Sequence, residues 1–214
     1  MRLHLTLVLL SFAAGAADAF AFLALNGTFT ANMTGNLVLA ALFSRPNFGT
    51  TLVCALVAIV AFAAVLYGAF RMSRTVPSTI EGHRRLSRLL LVPSVVAQVV
   101  VALLWITVAG LGKGPLVATC AVIAASAGAL ALQTVAAKKA SDIDGVTTTY
   151  VTGTLTSTMQ ALAERNGRGQ GVRVLSILAL PAGALAGTAL YQAAPAAGPL
   201  LALGVTAVAT VLGL

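Results

Sequence analysis

Long apolar runs, separated by short polar clusters, dominate the chain. A helix that crosses a bilayer needs about 20 predominantly apolar residues. Six stretches meet that length: Leu5–Leu25, Thr51–Phe70, Leu89–Gly110, Leu116–Gln133, Val174–Ala193 and Ala196–Leu214. They predict an all-α polytopic membrane protein, a single transmembrane domain over 1–214 with about six transmembrane helices. Two further stretches, Gly27–Ser44 and Val146–Ala163, read differently. Each starts as an extended, threonine-rich or β-prone run, passes a Thr-Gly pair and ends in a segment with helical preference. Those helical parts, Asn36–Phe43 and Leu155–Ala163, are too short to cross a bilayer alone.

The first run imitates a secretory leader, with a basic start, the apolar stretch Leu5 to Leu10 and small residues at Ala14, Ala16 and Ala17. The apolar pattern continues through Phe20 to Leu25, to full spanning length, so it is expected to be retained as a first span. Composition agrees with a lipid environment. Charged residues make up 8% of the chain and hydrophobic ones 59%, against about 25% charged in soluble domains. The net charge of +8 would suggest nucleic acid on a soluble protein. Here the basic residues sit between apolar runs and speak for membrane orientation, so no nucleic-acid partner is expected.

The two unusual stretches form an internal repeat. Phe29-Thr-Ala-Asn-Met-Thr-Gly-Asn-Leu37 aligns with Thr147-Thr-Thr-Tyr-Val-Thr-Gly-Thr-Leu155 at an offset of 118 (148 less 30). Thr30/Thr148, Thr34/Thr152, Gly35/Gly153 and Leu37/Leu155 coincide. Each half then reads span, broken segment, span, span, with 1–110 as the first repeat and 116–214 as the second. Three crossings per half make the second repeat inverted. If both broken segments dip in and return, Arg2, Arg71, Arg74, Arg84, Arg85, Arg88, Lys138, Lys139, Arg165, Arg168 and Arg173 share one side. Only Arg45 and Lys113 then face the other. Complete crossing would leave an almost even split. The positive-inside rule favours re-entry, with the N-terminus and a 71–88 loop cytoplasmic.

Irregular backbone at membrane depth is tolerated where it is buried in protein or lines a polar cavity. Inverted pairs of such breaks mark substrate sites in transporters. Thr34-Gly35-Asn36 and Thr152-Gly153-Thr154 lie where two half-helices would begin. There Thr34 or Thr152 would cap the helix, and Gly35 or Gly153 would admit a ligand to the backbone. Amides and the positive end of a half-helix favour an anion or a carboxylate. The blander reading is that the threonines only cap and the glycines only ease packing. Asn32 and Tyr150 occupy equivalent positions and could hydrogen-bond a solute. Asp18 is the only acid inside a predicted span, where insertion costs about 2.5–3.5 kcal/mol. It is a candidate proton-coupling or gating group, or else an acceptor for amides freed by a broken segment. Gln133 is the nearest polar counterpart in the second half; for it and for Gln98 an interhelical hydrogen bond is the default role.

Other chemistry is thinly represented. Cys54 and Cys120 lie inside apolar runs, and His4 and His83 at their edges, so neither a metal site nor an enzyme is expected, and no cofactor. No nucleotide-binding loop of the Gly-x4-Gly-Lys-Ser/Thr kind occurs. Pro93 and Pro181 are expected to bend their helices. Small residues such as Gly183, Ala186 and Gly187 permit close packing within the chain or across a homodimer.

Gly15-Ala-Ala-Asp18-Ala, Phe29-Thr-Ala-Asn-Met-Thr-Gly-Asn36 and Val151-Thr-Gly-Thr154 together resemble the YoaK-like family of bacterial membrane proteins, described as a domain of unknown function. The resemblance covers nearly the whole chain. It implies a bacterial inner-membrane protein with an uncleaved first span, and supplies no substrate. A looser likeness, in site design alone, connects the twice-broken pattern with sulfate-type anion and nucleobase transporters. The sequence therefore supports a small secondary transporter, or transporter-like channel, for a small anionic or polar solute. The alternative is a non-transporting scaffold, sensor or lipid-binding module. A carboxylate beside an anion opposes it unless protonated, so Asp18 would couple anion binding to proton uptake.

Overall fold

The computed structural model describes residues 2–74, 76, 80–107, 114–144, 151–164 and 170–213. Eight α-helices occur among them: α1 (Arg2–Ala24), α2 (Met33–Ala41), α3 (Phe48–Ser73), α4 (Ile80–Thr107), α5 (Leu116–Asp144), α6 (Val151–Ala163), α7 (Gln170–Ala193) and α8 (Leu200–Gly213). A 3-10 turn, Pro195–Ala197, precedes α8. Six helical segments are long and apolar enough to cross a membrane: Leu3–Ala24, Phe48–Ser73, Arg85–Thr107, Leu116–Ala140, Gln170–Ala193 and Pro195–Gly213. They match the six expected stretches, with the helices running further into polar sequence. Most of the expected 71–88 loop is helical, because α3 continues to Ser73 and α4 starts at Ile80. Pro93 and Pro181 both lie inside continuous helices.

Three apolar clusters stack along the bundle. One end gathers Leu7 and Leu10 of α1, Ala69 of α3, Leu86 of α4, Val135 of α5 and Ala209 of α8, with Val172 of α7 against them. The opposite end gathers Phe20, Cys54, Trp105 and Ala118, with Tyr191 packed on it. Between them lie Ala14, Ala17, Phe62, Ala127, Leu130 and Ala202. Helices α1, α4 and α7 thus run one way and α3, α5 and α8 the other. At the far end Phe20 meets the Trp105 ring edge-on, 5.0 Å between centroids. The Trp105 indole N–H donates to Pro195 O at 2.9 Å. A buried indole needs such a partner, and this bond ties the end of α4 to the turn entering α8.

Helix α1 is the hub, packing on α7 and α8, while α5 packs on α3 and α4; α2 lies on α3, α6 on α7, and α4 on α8. Residues 13–17 of α1 read Ala-Ala-Gly-Ala-Ala, and small side chains let backbones approach. A Cβ on Gly15 would strike Leu180 O of α7, and one on Gly183 would strike Phe12 O of α1. One on Gly187 would lie 2.9 Å from Ala16 O. Three glycines therefore form a backbone-to-backbone seam between α1 and α7.

Gly183→Val is expected to lower stability by about 3 kcal/mol, the upper range for overpacking, since rigid backbone blocks the added atoms. Gly204→Ala, whose Cβ would enter open space, should be neutral or stabilise by up to about 1 kcal/mol. Thermal unfolding of both variants in detergent checks the contrast; equal midpoints would contradict the seam.

Candidate functional site

The chain reverses immediately after α1. Asn26 (φ 56°) and Gly27 (φ 69°) adopt left-handed conformations, which Asn tolerates and Gly adopts freely. The Arg45 guanidinium occupies the place a Gly27 side chain would take. Asn26 also touches the start of α3: its carbonyl accepts from Thr51 Oγ1 at 3.5 Å, and its Nδ2 lies 3.6 Å from Cys54 Sγ. The end of α1 and the beginning of α3 therefore lie on the same side of the bundle. Between them, residues 28–32 carry no helix and α2 is nine residues long. Ala31 packs against the central apolar cluster and Met33 against both that cluster and the far-end one, so α2 begins alongside the bundle between the two.

Backbone without a helix inside a bilayer must find its hydrogen bonds elsewhere. Here two side chains supply them. Asp18 Oδ1 accepts from the amides of Thr30 and Ala31, both at 2.7 Å. Asn36 Oδ1 accepts from Phe29 N at 2.9 Å, and Asn36 Nδ2 donates to Phe29 O at 2.7 Å. Asn36 is fully buried, and its amide is spent on this pairing. The second reading of Asp18, as an acceptor for freed amides, describes its contacts.

The helix start differs from the expected one. Helix α2 begins at Met33, and its cap is Asn32, whose Oδ1 accepts from Gly35 N at 3.1 Å and Thr34 Oγ1 at 2.9 Å. Thr34 was expected to cap, but it falls inside the first turn, where its hydroxyl supports the capping amide. Asn at the N-cap reaches the third helical amide directly. A Cβ on Gly35 would lie 2.9 Å from the Phe29 ring and 3.0 Å from Asn32 Nδ2. Glycine here makes room for the folded-back run itself. Phe29 also stacks on Phe22, with centroids 5.0 Å apart, and Arg45 Cζ lies 5.9 Å from the Phe22 ring.

In the second half, Thr152 and Gly153 lie within α6 and not ahead of it. Gly153 is exposed and Thr154 buried. The Thr154 carbonyl accepts from Ser157 Oγ at 3.0 Å and Thr158 Oγ1 at 2.6 Å. Tyr150, the extended run before it and the Thr152 side chain lie outside the described residues.

Gln133 stands apart from these segments. Its Nε2 donates to Ser94 Oγ at 3.0 Å and to Thr206 Oγ1 at 3.2 Å. Gln98 Nε2 donates to the same Thr206 hydroxyl at 3.1 Å. Helices α4, α5 and α8 thereby share one buried polar layer, which was not anticipated as a unit. The signal was present, because Ser94 and Gln98 are four residues apart and share a helix face. Also unanticipated were Thr28 and Thr30, both fully buried. Thr28 Oγ1 has no hydrogen-bond partner, and Thr30 Oγ1 lies close to Asp18 without meeting hydrogen-bond geometry. No group of His, Cys, Asp and Glu suited to a metal occurs among the described residues.

A family model described as "Protein of unknown function (DUF1275)" matches residues 6–212, and the chain belongs to that family. No curated protein and no solved structure matches it.

Asp18→Ala would leave the Thr30 and Ala31 amides unpaired at mid-depth, and is expected to cost about 3 kcal/mol. Asp18→Asn, which retains an acceptor oxygen, should cost less. Because Asp18 and Asn36 hold one run, Asp18→Ala and Asn36→Ala should combine less than additively. Unfolding midpoints of the two single variants and the double variant test this; full additivity would show that the two side chains act separately.

Proposed function

We propose that this DUF1275 protein is a small secondary transporter, or transporter-like channel, for a small polar solute that passes the broken segment before α2. The observation that carries the reading is the buried Thr28 hydroxyl without a partner, on non-helical backbone inside the bundle, with the buried Thr30 hydroxyl beside Asp18. Leaving a buried polar group unpaired costs about 1–3 kcal/mol. A site that binds a polar solute recovers that cost when occupied.

The exchange of packing partners supports an inverted repeat. Swapping α1 with α5, α2 with α6, α3 with α7 and α4 with α8 returns the main contacts to themselves. Direction reverses in the swap, as in transporters built from inverted halves. The anionic arm of the reading has less support than the polar one. In the first half the freed amides already face the Asp18 carboxylate, so an anion there would meet a like charge unless Asp18 carried a proton. Proton coupling through Asp18 belongs to this proposal.

Orientation follows from charge. Arg71, Arg74, Arg85, Arg88, Lys138, Lys139 and Arg173 lie toward the end where α1 starts, and Arg45 lies toward the other. The positive-inside rule then makes the first end cytoplasmic in a bacterial inner membrane. A second reading, a non-transporting scaffold, sensor or lipid-binding module, is favoured by one observation. The α1–α7 seam brings two backbones into contact and leaves no path between them.

Val in place of Thr removes an unpaired hydroxyl at nearly constant shape. Thr28→Val should therefore keep or raise the melting temperature, whereas Thr30→Val, which also removes the hydroxyl beside Asp18, should not raise it. Each should weaken solute binding by about fivefold to tenfold, the worth of one hydrogen bond of about 1–1.5 kcal/mol. A thermal-shift panel of small anions, carboxylates, nucleobases and neutral polar solutes, followed by flux into vesicles, reads both effects. A solute that stabilises the variants as strongly as the parent, or crosses as fast with them, would remove the threonines from the site. Absence of any shift or flux across the panel would favour the scaffold reading.

A further inference from the structure

The polar layer between α4, α5 and α8 leaves more acceptors than donors unpaired. Ser94, Gln98, Gln133 and Thr206 are all at most 5% exposed. Ser94 Oγ donates to Ala129 O at 2.9 Å, and Thr206 Oγ1 donates to Ala202 O at 2.7 Å. Both hydroxyl hydrogens are thereby committed to backbone carbonyls, and the hydroxyl oxygens accept only from the glutamine Nε2 groups. What remains is Gln98 Oε1 and Gln133 Oε1, both buried and without a partner, and one hydrogen of Gln98 Nε2, whose other hydrogen goes to Thr206. Exchanging the oxygen and nitrogen of either amide does not help. The oxygen would then face hydroxyls whose hydrogens are already given away, and the NH2 group would be stranded instead.

We propose that Gln98 Oε1 and Gln133 Oε1 are the acceptor half of a binding site for a small neutral molecule carrying two donor hydrogens. Its chemistry is that of water or of the NH2 group of a primary amide. Both glutamines are anchored to the single Thr206 hydroxyl through Nε2. An anion does not fit, because two of the three free groups are acceptors; the remaining Gln98 N–H suits the oxygen that water or a primary amide also carries. A bare cation does not fit either: hard cations take about six or more oxygen ligands, and two carbonyl oxygens are left. Buried waters typically satisfy otherwise unpaired polar groups of this kind. The site is separate from the Asp18 segment and stands whether or not that segment conducts a solute.

Solid-state NMR of the full chain in bilayers tests the proposal, with glutamine side chains labelled at Cδ and Nε2. The signals are assigned through the single variants Gln98→Leu and Gln133→Leu. The expected result is magnetisation transfer from water to both side chains despite their depth, or a Cδ shift of both on adding acetamide. Transfer that acetamide leaves unchanged identifies a resident water. Transfer lost on adding acetamide, with both Cδ signals moving, identifies a site that takes amide solutes. If neither signal receives water magnetisation and neither moves with acetamide, the site is dry and the proposal fails. Labelled Gln133 in the Gln98→Leu protein supplies a second check, since losing one acceptor should weaken the transfer at the other by at least about twofold. Unchanged transfer there would mean the two oxygens do not share an occupant, which also overturns it.

Discussion

The carboxylate of Asp18 sits within a membrane-spanning helix and accepts two backbone amides from the chain that folds back beside it. Those two bonds bear on both sides of the balance. A charged group at membrane depth is costly without partners, and so is an amide without an acceptor. Joined, each offsets the other. The run from Thr28 to Asn32 can then leave helical geometry while its tip packs on the central apolar cluster. Asn36 closes the same run from the other end by pairing with both backbone groups of Phe29. The Asn32 cap, itself exposed, then starts α2 against the bundle.

The rest of the bundle divides the work of rigidity and polarity. The α1–α7 seam is held by backbone contact at Gly15, Gly183 and Gly187, which fixes the helix that carries Asp18. On the other side of α1, helices α4, α5 and α8 are joined through glutamine and hydroxyl groups. The two halves pack by one pattern but differ in chemistry. At the offset that aligns the broken segments, the position matching Asp18 holds Ala136. Only the first half has an internal carboxylate at that place.

Much of this was legible in the sequence, for physical reasons that also mark where legibility ends. Apolar length identifies spans, because few other environments accept 20 such residues in a row. Helix ends lie beyond the apolar runs, as where α5 continues through Lys138 and Lys139 to Asp144, because hydropathy is blind to a helix leaving the apolar slab. The start of α2 was displaced because Asn32 and Thr34 are both competent caps, and only the fold decides which one is used. The Asn36–Phe29 pairing joins residues seven apart across an irregular run, a contact that no periodicity announces. Gln98 and Gln133 could be read as helix-bridging amides. That both would retain a free oxygen depended on where the Ser94 and Thr206 hydrogens go.

Cysteine accessibility along residues 28–36, in a background with Cys54 and Cys120 replaced, tests the central claim most directly. The claim is that this segment enters the bundle to mid-depth from the side that carries Arg45 and returns to that side. A membrane-impermeant thiol reagent added from that side should label Thr34→Cys, and a bound polar solute should slow the labelling. Labelling only from the opposite face would contradict re-entry. Complete protection from both faces would contradict a solute path at this segment.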